Sequence, residues 1–158
     1  MMNIDIIAVG KIKEKYFTQA VEEYQKRLSR FVKFNITEIP DEKIPDNASE
    51  KQQLQIIEKE GEKILSKKKD GFVVAMCIEG VQKTSEEIAD FFQKASLSNS
   101  RITFIFGGSL GLSDKVKARA ALKLSLGKVT LPHQLMRVVL AEQIYRSFKI
   151  IKNEAYHK

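Results

Sequence analysis

The last third of the chain concentrates the side chains that are able to bind or transform a ligand. The candidates for proton transfer, anion binding and stacking are His133, Arg137, Glu142, Arg146, Tyr156 and His157. Imidazole and carboxylate groups move protons, guanidinium groups stabilise anions, and a phenol ring stacks on a nucleobase. Together with the cationic C-terminal Lys158, this set favours chemistry on a planar, polyanionic substrate.

Several of these residues also have an ordinary structural explanation. Glu142 and Arg146 are spaced i, i+4 on a predicted helix, which gives a surface ion pair worth about 0.3–0.5 kcal/mol. His133 begins that helix, where the helix dipole favours a neutral imidazole, and a lone histidine is more often structural than catalytic. Arg137 lies inside an apolar stretch, so its charge needs either a partner or a substrate.

Two glycine-bearing turns precede the helix. The first, Phe106–Leu112, follows an apolar strand and leads into a helix capped by Ser113, a context in which backbone amides face a ligand. It lacks the glycine spacing of a dinucleotide-binding loop and the Gly-Lys-Ser/Thr of a P-loop. A tight turn that needs positive φ is an equally good explanation.

The second turn, Leu126–Pro132, is apolar and is placed just before the helix. Its backbone N–H and C=O groups suit the edge of an adenine ring, with apolar side chains against the ring faces. A buried strand with a glycine bulge is the alternative, and for this turn taken alone it is the simpler explanation.

Charge is segregated along the chain. The segment from Lys115 to Lys158 carries a formal charge of +8, whereas the 114 residues before it carry −1. Such clustering favours a surface that binds a polyanion. Two other classes stay open at this point, namely a non-enzymatic RNA-binding protein and a nucleotide-dependent enzyme that uses Gly107–Gly111 for phosphates.

Composition limits the remaining possibilities. A chain of 158 residues is expected to form one domain, and its single cysteine, Cys77, excludes an internal disulfide framework. Two histidines leave little from which to build a zinc site. No stretch approaches the roughly 20 apolar residues of a membrane span, and the first apolar run predicts a strand rather than a secretory segment. We therefore expect a cytoplasmic protein without metal or membrane.

Alternating strand and helix patterns predict a doubly wound α/β domain with a parallel sheet. The predicted strands cover Asn3–Val9, the stretch around Phe34–Ile39, Phe72–Ile78, Arg101–Phe106 and Leu124–Leu131. The predicted helices cover Glu14–Arg30, Ser49–Lys69, Thr84–Leu97, Asp114–Leu122 and Leu135–Ile151. Ser49 with Gln52 and Thr84 with Glu87 are the capping-box pairs.

Long motifs resemble one known family. These are FIFGGSLGL, LSLGKVTLPHQLMRVVLAEQIYRSFKI and the closing NEAYHK, together with IIAVGKIKEKYFTQAVEEYQKRL and ITEIPDEK in the first half. They closely resemble the ribosomal RNA large subunit methyltransferase H family, the pseudouridine N3-methyltransferases of bacterial 23S rRNA in the SPOUT class. The resemblance covers essentially the whole chain, and Met76-Cys77 departs from the Leu or Thr expected there.

The resemblance implies a fold, a cofactor and partners. The fold would be a SPOUT-type α/β knot, a parallel sheet flanked by helices with a C-terminal trefoil knot, in a single domain over residues 1–158. The partners would be a second copy of the chain, with the knot at the interface, and 23S rRNA within the 70S ribosome. S-adenosylmethionine would contact Met76, Gly107, Gly108, Leu126, Gly127, Lys128, Val129, Thr130 and Leu131.

The resemblance also gives roles to the polar residues, because His133, Arg137, Arg146, Tyr156 and His157 fall at positions that the family uses near the substrate. The imide N3 of pseudouridine must lose a proton before it attacks the donor methyl group. Arg137 or Arg146 would stabilise the ring anion or a phosphate, and His157 or Glu142 would assist deprotonation. Tyr156 would orient the base, and the tail would complete the active site of the partner subunit.

Overall fold

Strands and helices alternate along the chain in a computed structural model that describes residues 1–158. The strands are β1 (Asn3–Val9), β2 (Lys33–Ile39), β3 (Phe72–Gln82), β4 (Arg101–Phe106) and β5 (Leu122–Ser125). The helices are α1 (Lys15–Leu28), α2 (Glu50–Lys67), α3 (Ser85–Ala95), α4 (Asp114–Arg119) and α5 (His133–Ile151). The alternation predicted from the sequence is confirmed.

All five strands form one sheet in the order β2-β1-β4-β3-β5. Every neighbouring pair is parallel, so the strands all end at the same side, which we call the carboxyl edge. The both-face apolarity of the third and fourth predicted strands is explained by their internal positions, since helices cover both faces there. The carboxyl edge is where ligands bind in open parallel sheets.

Two apolar cores lie on the opposite faces of the sheet. Alternate β1 residues separate between them, with Ile4 and Ile6 in the larger core and Ile7 and Val9 in the smaller one. Helices α1, α3 and α5 pack on the larger core and α2 and α4 on the smaller. Helix α5 therefore lies on the face of the larger core, beside α1 and α3.

Local capping signals are largely confirmed. The Ser49 hydroxyl accepts the Gln52 N–H at 3.2 Å, and the Gln52 side chain accepts the Ser49 N–H at 2.8 Å, which completes the capping box. Thr84 accepts the Glu87 N–H at 3.1 Å, but the reciprocal bond is missing, so that pair is a simple N-cap. These side chains satisfy amides that the first helical turn leaves free.

The predicted boundaries are wrong at the carboxyl edge. Strand β5 ends at Ser125 and not at Leu131, because Gly127 has φ +132° and turns the chain out of the sheet. Strand β3 continues to Gln82, beyond the predicted end, through an irregularity in which both Met76 and Val81 pair with Leu124. The apolar run of residues 126–131 is therefore a loop and does not contribute to the sheet.

The parallel sheet flanked by helices confirms the predicted fold class. Passage of the C-terminal segment through a trefoil knot stays a prediction. No helix of the chain has both the length and the apolar character that crossing a bilayer requires.

Candidate active site

Met76 is the residue around which the two glycine turns gather. It is buried, and it stands in register with Phe106 of β4 on one side and with Leu124 of β5 on the other. The loop 107–112 starts directly after Phe106, and the loop 126–132 starts two residues after Leu124. The register therefore brings the predicted donor-binding residues of three strands to one place on the carboxyl edge.

The first loop is a tight turn whose own backbone requires glycine. Gly108 and Gly111 form an isolated bridge, with the Gly111 N–H donating to the Gly108 C=O at 3.0 Å. A Cβ on Gly107 would come within 2.7 Å of the Gly111 carbonyl carbon. The tight turn itself therefore requires glycine at position 107. A ligand at this loop would contact its backbone groups.

The second loop exposes backbone groups that have no partner within the chain. Ser125 Oγ accepts the Gly127 N–H at 3.3 Å and donates to the Gly127 C=O at 3.0 Å, which fixes the start of the loop. Lys128, Val129 and Thr130 are exposed, and none of them donates its backbone N–H to another residue. An exposed valine beside free N–H and C=O groups is suited to a flat heteroaromatic ring.

His133 opens α5 on the same edge. Its side chain is exposed and makes no hydrogen bond or ion pair within the chain, so the imidazole is available to a ligand. The neighbouring Gln134 is instead engaged, since its side-chain oxygen accepts the backbone N–H groups of Lys13 and Glu14 at 3.0 and 3.3 Å. The start of α5 is thus fastened to the loop between β1 and α1.

Arg137 is buried, and both terminal nitrogens of its guanidinium have partners inside the subunit. Its side chain is 2% exposed, Nη1 lies 3.2 Å from Glu38 Oε2, and Nη2 donates to the Val9 carbonyl at 3.0 Å. Burial lowers the pKa of the Arg137 guanidinium, and the Glu38 carboxylate opposes that shift. Only Nε has no partner. The Arg137 guanidinium, whose partner the sequence alone did not identify, therefore links the ends of β1 and β2 to α5.

The tail folds back onto α5 and forms a polar cluster. Arg146 Nε donates to Glu142 Oε1 at 2.8 Å, and Arg146 Nη1 lies 3.1 Å from His157 Nδ1. His157 Nε2 lies 2.6 Å from Glu86 Oε1. Because a guanidinium only donates, His157 Nδ1 accepts from Arg146 and Nε2–H donates to Glu86. We call these four residues with Tyr156 the tail cluster.

Tyr156 is held between Arg146 and the aromatic core. The Arg146 guanidinium lies 4.7 Å from the centre of its ring, and the Tyr145 ring makes an edge contact at 4.9 Å. Its hydroxyl donates to Glu142 Oε1 at 3.4 Å. Burial, helped by the negative charge of Glu142, raises the pKa of Tyr156 to about 12. The phenol is therefore neutral at physiological pH and acts as a donor.

The structure brings together four of the predicted catalytic residues and separates the other two. Glu142, Arg146, Tyr156 and His157 lie in the tail cluster. His133 is at the carboxyl edge, thirteen residues earlier in α5 than Arg146. At 1.5 Å per residue, that is about 20 Å along the helix. The tail cluster therefore lies this far along α5 from His133, and it contacts the start of α3 through His157 and Glu86.

Sequence reasoning missed Glu38, Glu86 and Gln134. Glu86 contacts His157, 71 positions away in the chain, and Glu38 contacts Arg137, 99 positions away. Gln134 contacts the backbone of Lys13 and Glu14, 121 and 120 positions away. Glu38 and Gln134 lie within the motifs ITEIPDEK and LSLGKVTLPHQLMRVVLAEQIYRSFKI, but neither motif indicates which residue they contact. Two shallow hollows lie elsewhere, along α3 and between α2 and the start of α4. No group of three or more metal-binding side chains comes together.

Residues 2–157 match the family of predicted SPOUT methyltransferases. The chain belongs to this family. It is 58% identical to the ribosomal RNA large subunit methyltransferase H 1 of Clostridium perfringens strain SM101, over 99% of this chain and 100% of that protein. It is 54% identical to the ribosomal RNA large subunit methyltransferase H of Bacillus pumilus, again over 99% of this chain and 100% of that protein.

A solved structure is similar to this member of the SPOUT methyltransferase family in fold. It is a probable methylase family protein from Haemophilus influenzae, with a TM-score of 0.56 and 13% identity, covering 99% of this chain and 71% of that chain. At this identity the likeness extends to the fold alone.

We expect Arg137→Met to lower the free energy of unfolding by about 3 kcal/mol, as removal of one partner from a buried ion pair does. The value is at the low end of that range because the Glu38 side chain is 34% exposed. Urea denaturation measures it. Arg119→Met removes an exposed arginine as the control and should change the free energy by less than about 0.5 kcal/mol. Equal stabilities for the two variants would contradict the structural role of Arg137.

Phenolate absorbance should reveal the environment of Tyr156. The pKa of Tyr156 is about 12 in the folded protein, whereas an unfolded tyrosine ionises near 10, so stability is fully retained below pH 10 and falls as the pH rises toward 12. Tyr156→Phe should remove both the late absorbance step and this pH-dependent loss. Tyr16→Phe, at a 62% exposed position, should leave both in place. A late step that survives in Tyr156→Phe would contradict the assignment.

Proposed function

We propose that the protein transfers a methyl group from S-adenosylmethionine to N3 of a pseudouridine in 23S rRNA. The observation that carries the proposal is the loop of residues 126–131 beside Met76 and the loop after β4. In this loop the backbone N–H groups of the exposed Lys128, Val129 and Thr130 have no partner. Membership of the SPOUT methyltransferase family and the names of full-length relatives support it.

The residues of the carboxyl edge fit the proposed donor. Backbone groups of Leu126, Gly127, Lys128, Val129, Thr130 and Leu131 would meet the adenine edge, and Gly107, Gly108 and Met76 would close the other side. No carboxylate or arginine is needed for a ring held in this way. When bound, S-adenosylmethionine supplies an electrophilic methyl group. The loops supply its position, which must place the methyl carbon about 3–3.5 Å from the attacking nitrogen.

The tail cluster would act on the nucleobase. Its members fit the needs of a base that must lose an imide proton, because Arg146 stabilises negative charge and Tyr156 offers a donor and a ring face. His157 or Glu142 takes the proton. In the isolated subunit, Arg146 occupies both the Nδ1 lone pair of His157 and an oxygen of Glu142, so either group must exchange that partner for substrate before it acts as a base.

Arg137 has a different role in this proposal. Because its guanidinium is buried against Glu38 and Val9, it supports the edge on which His133 stands and does not contact the substrate. His133 is exposed at the end of the donor loop, where it is able to meet the RNA. Arg146 is then the arginine that stabilises the ring anion.

A homodimer would bring the two halves of the site together. His133, directly after the donor loop, and Arg146 of the tail cluster are about 20 Å apart along α5, so the tail of a partner subunit is expected to complete each site. The outer face of α5 offers a contact surface, since Leu135, Val138 and Val139 are only partly covered within the subunit. The RNA would be presented by the assembled 70S ribosome, because an 18.0 kDa protein has little surface for independent sequence recognition.

The wild-type protein is expected to transfer a tritiated methyl group from S-adenosylmethionine to 70S ribosomes that lack the modification, with little transfer to free 23S rRNA. Tyr156→Ala and His157→Ala should each lower the rate at least about tenfold, as loss of a positioned acid–base group does. At 100 times its dissociation constant the donor should also add roughly 2.7 kcal/mol of stability. A stable protein that binds the donor but labels neither substrate would overturn the substrate assignment.

Mixed dimers test whether the tail acts in trans. Gly127→Val is expected to disable the donor loop, because a valine at φ +132° is strained, and Tyr156→Ala with His157→Ala disables the tail. A dimer that contains one subunit of each kind retains one intact donor loop facing one intact tail only if the tail crosses to the partner. Two differently tagged subunits, purified as a mixed dimer, should therefore regain activity. An inactive mixed dimer would place the tail on its own subunit.

A further inference from the structure

The first loop on the carboxyl edge exposes three lysines that have no acidic partner. The loop joins β1 to α1 and includes the first residue of that helix; we call residues 10–15 the lysine loop. Its exposed cations are Lys11, Lys13 and Lys15. None of the three has a carboxylate within 4.0 Å. With Glu14 included, the loop carries a net charge of +2.

Side chains from two other elements hold the backbone of the lysine loop. The Ile12 N–H donates to Glu38 Oε2 of β2 at 2.7 Å. The next two N–H groups, of Lys13 and Glu14, both donate to Gln134 Oε1 of α5, at 3.0 and 3.3 Å. Three successive amides are therefore satisfied from outside the loop. An exposed loop with this many fixed groups loses little conformational entropy when it binds a ligand.

The beginning of the loop is fixed as well. Gly10 has φ +92°, which favours glycine, and its N–H donates to the Ile39 carbonyl at 2.7 Å. Arg137 Nη2 holds the preceding Val9 carbonyl at 3.0 Å. Arg137 therefore fixes the direction in which the lysine loop leaves the sheet. The lysine side chains are the cationic groups of the loop that are free to bind phosphate.

An exposed aromatic ring follows the lysines directly. Tyr16 is 62% exposed, and the Phe17 ring makes an edge contact with it at 4.6 Å, which limits its orientation while leaving a face open. Cations interleaved with an open aromatic face are the pattern by which proteins bind single-stranded nucleic acid. The lysines and this ring together therefore favour a nucleic-acid partner.

The lysine loop lies next to the donor loops. Strand β1 neighbours β4, so the lysine loop is one strand spacing, about 4.8 Å, from the start of loop 107–112 and about three spacings from the end of β5. Close packing of Val9 beneath Gly108 confirms this proximity, because a Cβ on Gly108 would come within 3.2 Å of Val9 Cγ1. Gln134, which holds the lysine loop, follows His133 directly.

We propose that the lysine loop and Tyr16 bind the RNA that flanks the target nucleotide, with the lysines on backbone phosphates and Tyr16 stacked on an unpaired base. This inference rests on the proposed function and names the surface through which the substrate is held. It adds an N-terminal contact to the basic C-terminal segment that the sequence singled out. The fixed loop sets the distance between the bound phosphates and the donor site.

The test compares a triple variant, Lys11→Ala with Lys13→Ala and Lys15→Ala, with the wild-type protein on ribosomal substrate. The KM for ribosomes should rise about tenfold or more, while kcat stays within about twofold and the affinity for S-adenosylmethionine is unchanged. The slope of log binding constant against log salt should become shallower by about 2 to 3, or roughly 0.7–0.9 for each phosphate that the lysines no longer neutralise.

The matched control removes three exposed lysines from and just beyond α2, Lys51→Ala with Lys67→Ala and Lys69→Ala. It changes the net charge equally and should leave KM within about twofold of the wild-type value and the salt slope unchanged. A second comparison uses Tyr16→Ala, which should raise KM, and Tyr16→Phe, which keeps the ring face and should restore it.

The outcomes separate the two proposals. A triple variant that behaves like its control, in a protein that methylates ribosomes, overturns the lysine-loop proposal and leaves the function intact. If the wild-type protein transfers no methyl group, direct binding to fluorescently labelled ribosomal RNA still tests the lysine-loop proposal. A weaker and less salt-dependent complex of the triple variant with this RNA would then support the lysine-loop proposal. Binding equal to that of the wild-type protein would overturn it.

Discussion

Because β3 pairs in parallel with β4 on one side and β5 on the other, Met76 within β3 lies beside the residues that follow β4 and β5. Met76 stands at the centre of that arrangement, and no single loop contains a complete binding surface. Each loop contributes backbone groups, whose positions depend on the register of the sheet. The geometry of the proposed donor site is therefore set by strand pairing, and side-chain identity in the loops is secondary to it.

Arg137 and Arg146 show how environment gives one residue type two functions. They are nine residues apart on α5, yet one is 2% exposed and bonded to the ends of β1 and β2, and the other lies on the surface among the tail residues. The buried charge is stabilised by Glu38 and a carbonyl and so stays a structural clamp. The partly exposed charge keeps partners that a substrate is able to replace.

The sequence was sufficient for the order of the elements, the helix caps and the two glycine turns, because each depends on residues close together in the chain. It failed where distant residues meet. The engagement of Arg137 depends on Glu38, that of His157 on Glu86, and that of the lysine loop on Gln134, all more than 70 residues apart. The end of β5 was misplaced because apolar character continues past Gly127 while the backbone leaves the sheet. In residues 126–131, the apolar pattern of the sequence therefore does not indicate the direction of the backbone.

The order of the strands also determines how copies of this molecule avoid joining through their sheets. The two outermost strands are β2 and β5, and β5 has only four residues. Both carry exposed lysines, Lys33 and Lys123, and like charges on short edges oppose strand addition between molecules. These lysines therefore disfavour the edge-to-edge pairing that starts aggregation, and we expect an assembly of this molecule to form through helices and loops and not through shared strands.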